Sequence, residues 1–461
     1  MARYNHHDYR VTPSVVCTGV PTEIVISPRG ANAVFPDGYD YTVEIWGADD
    51  ATTVIDPVTQ WGQITKTVLK PDARNGCLKF TFTFETEQQY VLKIRLPEVL
   101  QYSTNPHYNP PYRSAHAPLK QEAIRCPTLS VYAVEPDLYG KKVFKGDLHA
   151  HTWDSDGHES DIGILANWKK AGHDFGAITN HYWYHSYENA METIKDLPDL
   201  FTLIPGEEVH VPSEFIHVVA VGGKKSVNDA YYDNTEAVLA EIAALEKTLD
   251  IPEGIDPHNY ASRVWIAQKA REYGAISILA HPFWIWNEVY FMPLALTKLL
   301  LDRRVHDCLE FNCSGSEDSA LSSSLYYETR AKGYDVPFVG SSDTHNTDEA
   351  SPFHPSKGST LVLAEDRNWE SLRDAILSGN SAVMEQWNGE NGYRLYGSFR
   401  MVKYLSFLVN AYYPEYTELC YPLGSLIKDW ERDPSPALYA LIQAQTERAN
   451  AFSDAFFGLS R

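Results

Sequence analysis

The chain has 461 residues, 44% hydrophobic and 13% aromatic, enough for two or three domains of about 150 residues and too long for a disulfide-stapled miniprotein. With 39 Lys and Arg against 61 Asp and Glu, the formal charge is −22, which argues against a nucleic-acid partner, because backbone binding needs basic surface. The six cysteines form no CxxC pair and read as free thiols, and no membrane-length apolar run or apolar signal core occurs, so a cytoplasmic chain with no membrane partner is expected.

From about Tyr9 to Leu119 the chain reads in strand periods. Thr22 to Ser27 and Tyr41 to Trp46 are β-branched and aromatic runs, punctuated by turn signals at Pro28-Arg29-Gly30 and Pro36-Asp37-Gly38. Leu78 to Phe84 and Tyr90 to Leu96 alternate apolar and polar residues around a short polar break, which predicts a hairpin. A small antiparallel β-sandwich over 1–125 is the economical reading. The Pro-rich stretch 102–125 has no period, and 126–142 is expected to be a linker.

Beyond Lys145 short apolar runs alternate with helical patterns. Residues 175–179, 201–204, 217–221, 275–280, 308–312 and 336–340 read as buried strands, and 161–171, 235–249, 261–273 and 321–332 as amphipathic helices. This alternation over 143–395 predicts an α/β sheet or barrel whose parallel strands carry functional groups at their C-terminal ends. Residues 396–461 read as a mostly helical C-terminal extension, with a terminal helix opening near Asp433-Pro434-Ser435-Pro436 and running to about Phe457.

The chemistry concentrates in Gly146-Asp147-Leu148-His149-Ala150-His151, followed by Asp154-Ser155-Asp156-Gly157. In an extended segment His149 and His151 project from one face, so both imidazoles reach one metal. Further donors recur, each expected at the end of a buried strand: Asn180-His181, Pro205-Gly206-Glu207, His217, Ala280-His281-Pro282 and Ser342-Asp343-Thr344-His345. Buried without partners, so many titratable groups would each cost several kcal/mol, and metal ions are the natural compensation. His217, inside Phe215-Ile216-His217-Val218-Val219, also reads as a core histidine; Glu208 and His210 are rival donors to Glu207 and His217. Tyr182, Trp183, Tyr184 and His185, and likewise Trp284, Trp286 and Asn287, either line a pocket or simply pack. Asn312 has no assigned role, and His6, His7, His107 and His116 read as solvated.

The ordered stretches GDLHAHTWDSDG, AITNH, PGEE, FIHVVAVG, ILAHP, EFNCSG and GSSDTHN, between about Lys145 and Thr347, resemble the PHP (polymerase and histidinol phosphatase) superfamily of metal-dependent phosphoesterases. The opening motif after a strand-rich leader also resembles its carbaryl-hydrolase-like branch. The resemblance implies a distorted (β/α)7 barrel with a trinuclear centre of divalent Zn, Mn or Fe. It places His149, His151, Glu207 and Asp343 on a first metal, and Glu207, His217 and His281 on a second. Asp156, His181 and His345 would hold the third. Asn180 departs from the Asp that commonly precedes this histidine, which touches the support of His181.

About six positive charges against three carboxylates favour an anionic substrate. The expected function is therefore hydrolysis of a small phosphate ester by a metal-bound hydroxide. Catalysis would depend on Glu207, Asp343 and His281, and no general acid is assigned. The alternative is a metal-dependent hydrolase of an amide, carbamate or carboxylic ester, since a metal hydroxide also attacks carbon.

Overall fold

The computed structural model describes residues 8–30, 34–55, 62–64, 66–97, 127–314, 317–348, 354–386 and 392–459. His6, His7, His107, His116, Cys126 and the 102–125 stretch lie outside them. The chain divides into two units, Met1–Lys141 with Ser406–Glu415 and Asn450–Arg461, and Lys142–Leu405 with Tyr416–Ala449. Among the described residues no helix is long and apolar enough to cross a membrane.

The first unit carries β1 (Tyr9–Thr12), β2 (Val15–Cys17), β3 (Pro21–Pro28), β4 (Thr42–Gly47), β5 (Ala51–Ile55), β6 (Gly62–Ile64), β7 (Thr67–Leu69), β8 (Asp72–Arg74), β9 (Cys77–Thr83), β10 (Gln88–Arg95) and β11 (Thr128–Val134). One sheet runs β1-β3-β9-β8 and another β2-β11-β10-β4-β7, while β5 pairs with β6. Ile24, Ile26 and Leu78 from the first sheet meet Leu92, Ile94, Leu129 and Val131 from the second in one buried cluster. The expected hairpin over 78–96 does not form: β9 pairs with β3 and β8, and β10 with β11 and β4. Alternation states which face a strand buries, and it is silent on the partner. Nor is 126–142 only a linker, because the run Thr128-Leu-Ser-Val-Tyr-Ala-Val forms β11 in register with β10, Val131 opposite Tyr90.

The second unit is built on a ten-stranded sheet. Its strands are β12 (Lys142–Asp147), β13 (Phe175–Ile178), β14 (Thr202–Val209), β15 (Val218–Val221), β16 (Ile276–Leu279), β19 (Cys308–Asn312), β20 (Phe338–Ser341), β21 (Gly358–Ala364), β22 (Ser381–Glu385) and β23 (Arg394–Tyr396), with a separate hairpin β17 (Ile285–Trp286) and β18 (Val289–Tyr290). The order is β20-β19-β16-β15-β14-β13-β12-β21-β22-β23. Helices α1 (Asp161–Lys170), α2 (Ser186–Ile194), α3 (Val227–Asp233), α4 (Thr235–Thr248), α5 (Pro257–Glu272), α6 (Leu294–Asp302), α7 (Asp318–Ala331) and α8 (Trp369–Leu377) lie between strands. The chain ends in α9 (Phe399–Ala411), α10 (Tyr413–Arg432) and α11 (Pro436–Phe456), so the molecule is mixed α/β with a helical C-terminal region. Helix α5 opens before the expected 261 because Asp256 caps the Asn259 N–H and Pro257 fits the first turn.

Not every strand is parallel. β15 runs antiparallel to β14 and β16, because the connection 210–217 is too short for a parallel crossover, which needs a dozen or more residues. Its start therefore lies at the sheet edge where its neighbours end. The sheet curls until β20 reaches β21: the Gly340 N–H donates to Thr360 Oγ1 at 3.0 Å, and a Cβ on Gly358 would stand 2.1 Å from the Ser341 carbonyl oxygen. Only glycine allows that approach.

Candidate metal centre

His149 and His151 follow β12, and their segment is pinned across the curl. Ala150 bridges Thr344, and the His151 N–H donates to the Thr344 carbonyl at 2.7 Å. Both rings are buried, and both Nε2 atoms face the same two oxygens. Glu208 Oε2 lies 3.3 Å from His149 Nε2 and 3.4 Å from His151 Nε2; Asp343 Oδ1 lies 3.3 and 3.1 Å from them.

The carboxylate at this point is Glu208, and the placement of Glu207 as a metal ligand and catalytic residue is corrected. Adjacent residues of a strand face opposite ways. Glu208 Oε1 lies 2.8 Å from His217 Nδ1 and 3.2 Å from His281 Nε2, while Oε2 also approaches His181 Nδ1 at 3.1 Å and His210 Nε2 at 3.5 Å. Burial pushes the Glu208 carboxyl up, but His217, His149, His210 and His181 together hold it well below the usual carboxylate range. Glu207 points the other way. It accepts from Ser226 Oγ at 2.7 Å, Val227 N at 2.5 Å and Asn228 Nδ2 at 3.0 Å, anchoring the start of α3, and burial pushes its pKa up to about 7.

A third group forms where the loop after His151 meets the end of β13. Asp156 Oδ2 lies 3.3 Å from both His181 Nε2 and His345 Nε2, and the His151 ring stands 4.4 and 4.2 Å from theirs. Donor atoms come within 4.8 Å of one another in overlapping sets: His151–Asp156–His181–His345, His149–His281–Asp343, His149–His151–Glu208, His181–Glu208–His210 and Glu208–His217–His281. His217, which also read as a core histidine, thus faces the cluster, and it does so from the start of the antiparallel β15. Of the residues expected at the site, Glu207 alone is turned away.

Buried groups behind the donors set their orientation. Glu310 accepts from His149 Nδ1 at 2.8 Å, from the His281 N–H at 2.7 Å and from Ser341 Oγ. Asp147 accepts from the His149 N–H at 3.3 Å and the Ser342 N–H at 3.1 Å, joining the ends of β12 and β20. Asn312 Nδ2 donates to Asp343 Oδ2 at 3.0 Å, which leaves Oδ1 to the imidazoles. Asn180 is committed to the loop that carries Asp156: its Oδ1 accepts from the Thr152 N–H at 2.7 Å and from Ser155 Oγ at 2.8 Å. Asp343 and His281 both sit at positive φ, +49° and +23°, a backbone region uncommon for residues with a side chain. Glu310 had a visible signal, a carboxylate inside the apolar run Cys308-Leu309-Glu310-Phe311.

One wall is aromatic. The Trp284 ring lies 6.0 Å from His217 and 5.8 Å from His281, Phe291 lies 4.4 Å from His217, and the exposed Trp286 stands 5.5 Å from Trp284. Asn287 occupies the turn of the β17–β18 hairpin at φ +47°. Tyr184 is buried and donates to the Gly223 carbonyl at 2.6 Å, His185 faces Glu188 and Asp229, and Tyr182 and Trp183 are exposed.

The donor set fits divalent cations. His149 Nε2, His151 Nε2, Glu208 Oε2, His217 Nδ1, His281 Nδ1 and Asp343 Oδ1 are buried without a hydrogen-bond partner. Such atoms cost about 1–3 kcal/mol each when neutral and more when charged. Atoms sharing a cation at about 2.0–2.1 Å stand roughly 3.0–3.4 Å apart, which is the spacing around Glu208 Oε2 and Asp343 Oδ1. Mixed imidazole and carboxylate ligation suits Zn, Mn and Fe alike.

No family model matches the chain, and no curated protein matches it. Solved structures that it resembles include a two-domain protein containing a predicted PHP-like metal-dependent phosphoesterase from Bacteroides vulgatus, at 18% identity and TM-score 0.36 over 54% of this chain and 66% of that one. A protein described as a metal-dependent phosphoesterase from Bifidobacterium adolescentis matches at 16% identity and TM-score 0.33, over 50% of this chain and 95% of that one. An amidohydrolase from Chromobacterium violaceum with bound sulfate and no metal matches at 15% identity and TM-score 0.32, over 45% and 89%. Likenesses of this size carry no argument about activity, which rests on the site's own residues.

Proposed function

We propose that this chain is a metal-dependent hydrolase of a small phosphate ester, with a trinuclear site on a distorted PHP-type (β/α)7 barrel. The observation that carries the reading is the set of buried, unpartnered nitrogen and oxygen atoms that face one another around Glu208. His149, His151, Glu208 and Asp343 would hold one cation, Glu208, His217 and His281 a second, and Asp156, His181 and His345 a third. Bound there, divalent cations supply Lewis acidity and lower the pKa of coordinated water towards about 7.

The protein's own contribution is orientation. Glu310 holds His149 with Nδ1 turned to the protein and Nε2 to the site, and the Asp343 carbonyl does the same for His345 at 2.8 Å. Asn312 aims Asp343. Trp284 and Phe291 exclude water on the His217–His281 side and offer a face to an apolar group of the substrate. Three carboxylates, Asp156, Glu208 and Asp343, against about six cationic charges leave an excess that favours an anionic ester.

One observation keeps an ester or amide of a carboxylic or carbamic acid in view. The ion pairs among the described residues of the cluster join imidazoles to carboxylates, so bound cations would be what attracts a phosphate. A panel of aryl phosphates and aryl carboxylic esters, run on the Mn- or Zn-loaded protein with a chelated control, separates the two. Metal-dependent turnover of the phosphates is expected; turnover of the carboxylic esters alone overturns the phosphoesterase reading.

A further inference from the structure

His181 uses both ring nitrogens. Nε2 faces Asp156 Oδ2 at 3.3 Å, and Nδ1 lies 2.6 Å from His210 Nε2, with Glu208 Oε2 at 3.1 Å. Two imidazole nitrogens at that separation share one proton. If Nε2 of His181 is to offer its lone pair to a cation, the proton sits on Nδ1 and His210 Nε2 accepts it. His149 and His345 follow the same plan, with Nδ1 turned to Glu310 and to the Asp343 carbonyl and Nε2 turned to the site. Asn180 does not take this part for His181, since its amide is occupied by Thr152, Ser155 and Ser186.

His210 is built to stay in place. It follows β14 on the same face as Glu208 and is buried. Its backbone N–H approaches Asn228 Oδ1 at 3.4 Å, and its ring stands 4.0 Å from His217 and 5.0 Å from Tyr182. Asn228 is itself tied to Glu207 Oε2 at 3.0 Å and to the Glu208 carbonyl at 3.2 Å. The residue that turned away from the donors thus braces the strand end that presents His210.

We infer that His210 is a positioning residue for the Asp156–His181–His345 cation position, fixing the tautomer and ring orientation of His181. This rests on the reading that cations occupy the cluster. A neutral imidazole polarises the ring it accepts from less than the Glu310 carboxylate polarises His149, and Asp156 is 54% exposed. The Asp156–His181–His345 position is accordingly the weakest of the three and the first to lose its ion.

The test is stepwise titration of the apo protein with Zn or Mn against a chelating dye, alongside the absorption spectrum of the Co-loaded protein. Wild type should bind in resolvable steps. His210→Ala should weaken the last step by about 10- to 100-fold and leave the tighter steps within about twofold, and His210→Gln, whose side-chain carbonyl also accepts, should restore most of the loss. Should His210→Ala fold poorly, His210→Leu against His210→Gln supplies the same comparison. Equal affinities in wild type and His210→Ala overturn the inference, as does a Gln variant as impaired as the Ala variant. A wild-type protein that binds no divalent ion overturns the functional reading itself.

Discussion

Glu207 and Glu208 are neighbours in one strand with opposite duties: Glu208 Oε2 faces His149 and His151 at 3.3 and 3.4 Å, while Glu207 anchors Ser226 and the start of α3. Two conservative variants separate these duties. Glu208→Gln removes the negative oxygen that the surrounding imidazoles converge on and should empty the two cation positions that share it, leaving at most the Asp156–His181–His345 ion, and abolish metal-dependent turnover. Glu207→Gln should keep its metals and lose about 1–3 kcal/mol of stability, the cost of disturbing a buried hydrogen-bonded carboxyl. Elemental analysis and urea unfolding of both variants check this; metal loss in Glu207→Gln with retention in Glu208→Gln would reverse the assignment.

Glu310 sets the tautomer of His149 through Nδ1 and also holds the His281 backbone. Glu310→Gln keeps the volume but replaces a carboxylate acceptor with a weaker amide. Metal affinity should fall by about 10- to 100-fold, the usual loss for a partner behind a ligand, with the fold intact. Competition against a chelator at fixed pH reads this directly. An affinity within twofold of wild type would show that the hydrogen bond is incidental.

Cations should stabilise the folded chain as well as activate it, because they satisfy His149 Nε2, His151 Nε2, Glu208 Oε2 and Asp343 Oδ1, which are otherwise buried without partners. At about 100 times the dissociation constant, a single bound ion adds roughly 2.7 kcal/mol. Thermal unfolding with excess Zn or Mn should therefore lie several degrees above unfolding in EDTA, and adding metal back should restore it. Identical transitions in both conditions would show that the cluster is satisfied without metal.

Most of the donors were legible because they lie at buried apolar runs, where a titratable residue has to find a partner; Asp156, 54% exposed in the polar loop after His151, was placed by the resemblance alone. Strand direction was less so. Nothing in Phe215-Ile216-His217-Val218-Val219 states that β15 runs antiparallel; the shortness of 210–217 does, once β14 is known to extend to Val209. The choice between Glu207 and Glu208 depended on strand phase, and a run buried on both faces carries no alternation from which to read it. The two-residue spacing of Glu208 and His210, matching that of His149 and His151, was the available clue. In the first unit, the alternation of 78–84 and 90–96 marked the buried faces of β9 and β10, but both faces meet the same core, so either strand could belong to either sheet.

His306 is buried, and neither ring nitrogen has a hydrogen-bond partner. Burial, with Arg263 and Arg271 nearby, holds its pKa well below 6.5. The unfolded chain takes up a proton at this residue near pH 6.5 and the folded chain does not. More protons are thus bound by the unfolded state below that pH, and stability, fully present above it, falls as pH drops by up to about 1.4 kcal/mol per unit. His306→Phe removes the titration while its packing effect stays the same at every pH. The variant should therefore gain about 2 kcal/mol relative to wild type between pH 8 and pH 5. Urea unfolding at the two pH values measures the difference; a gap that does not change with pH would mean that His306 is charged, or solvated, in the folded protein.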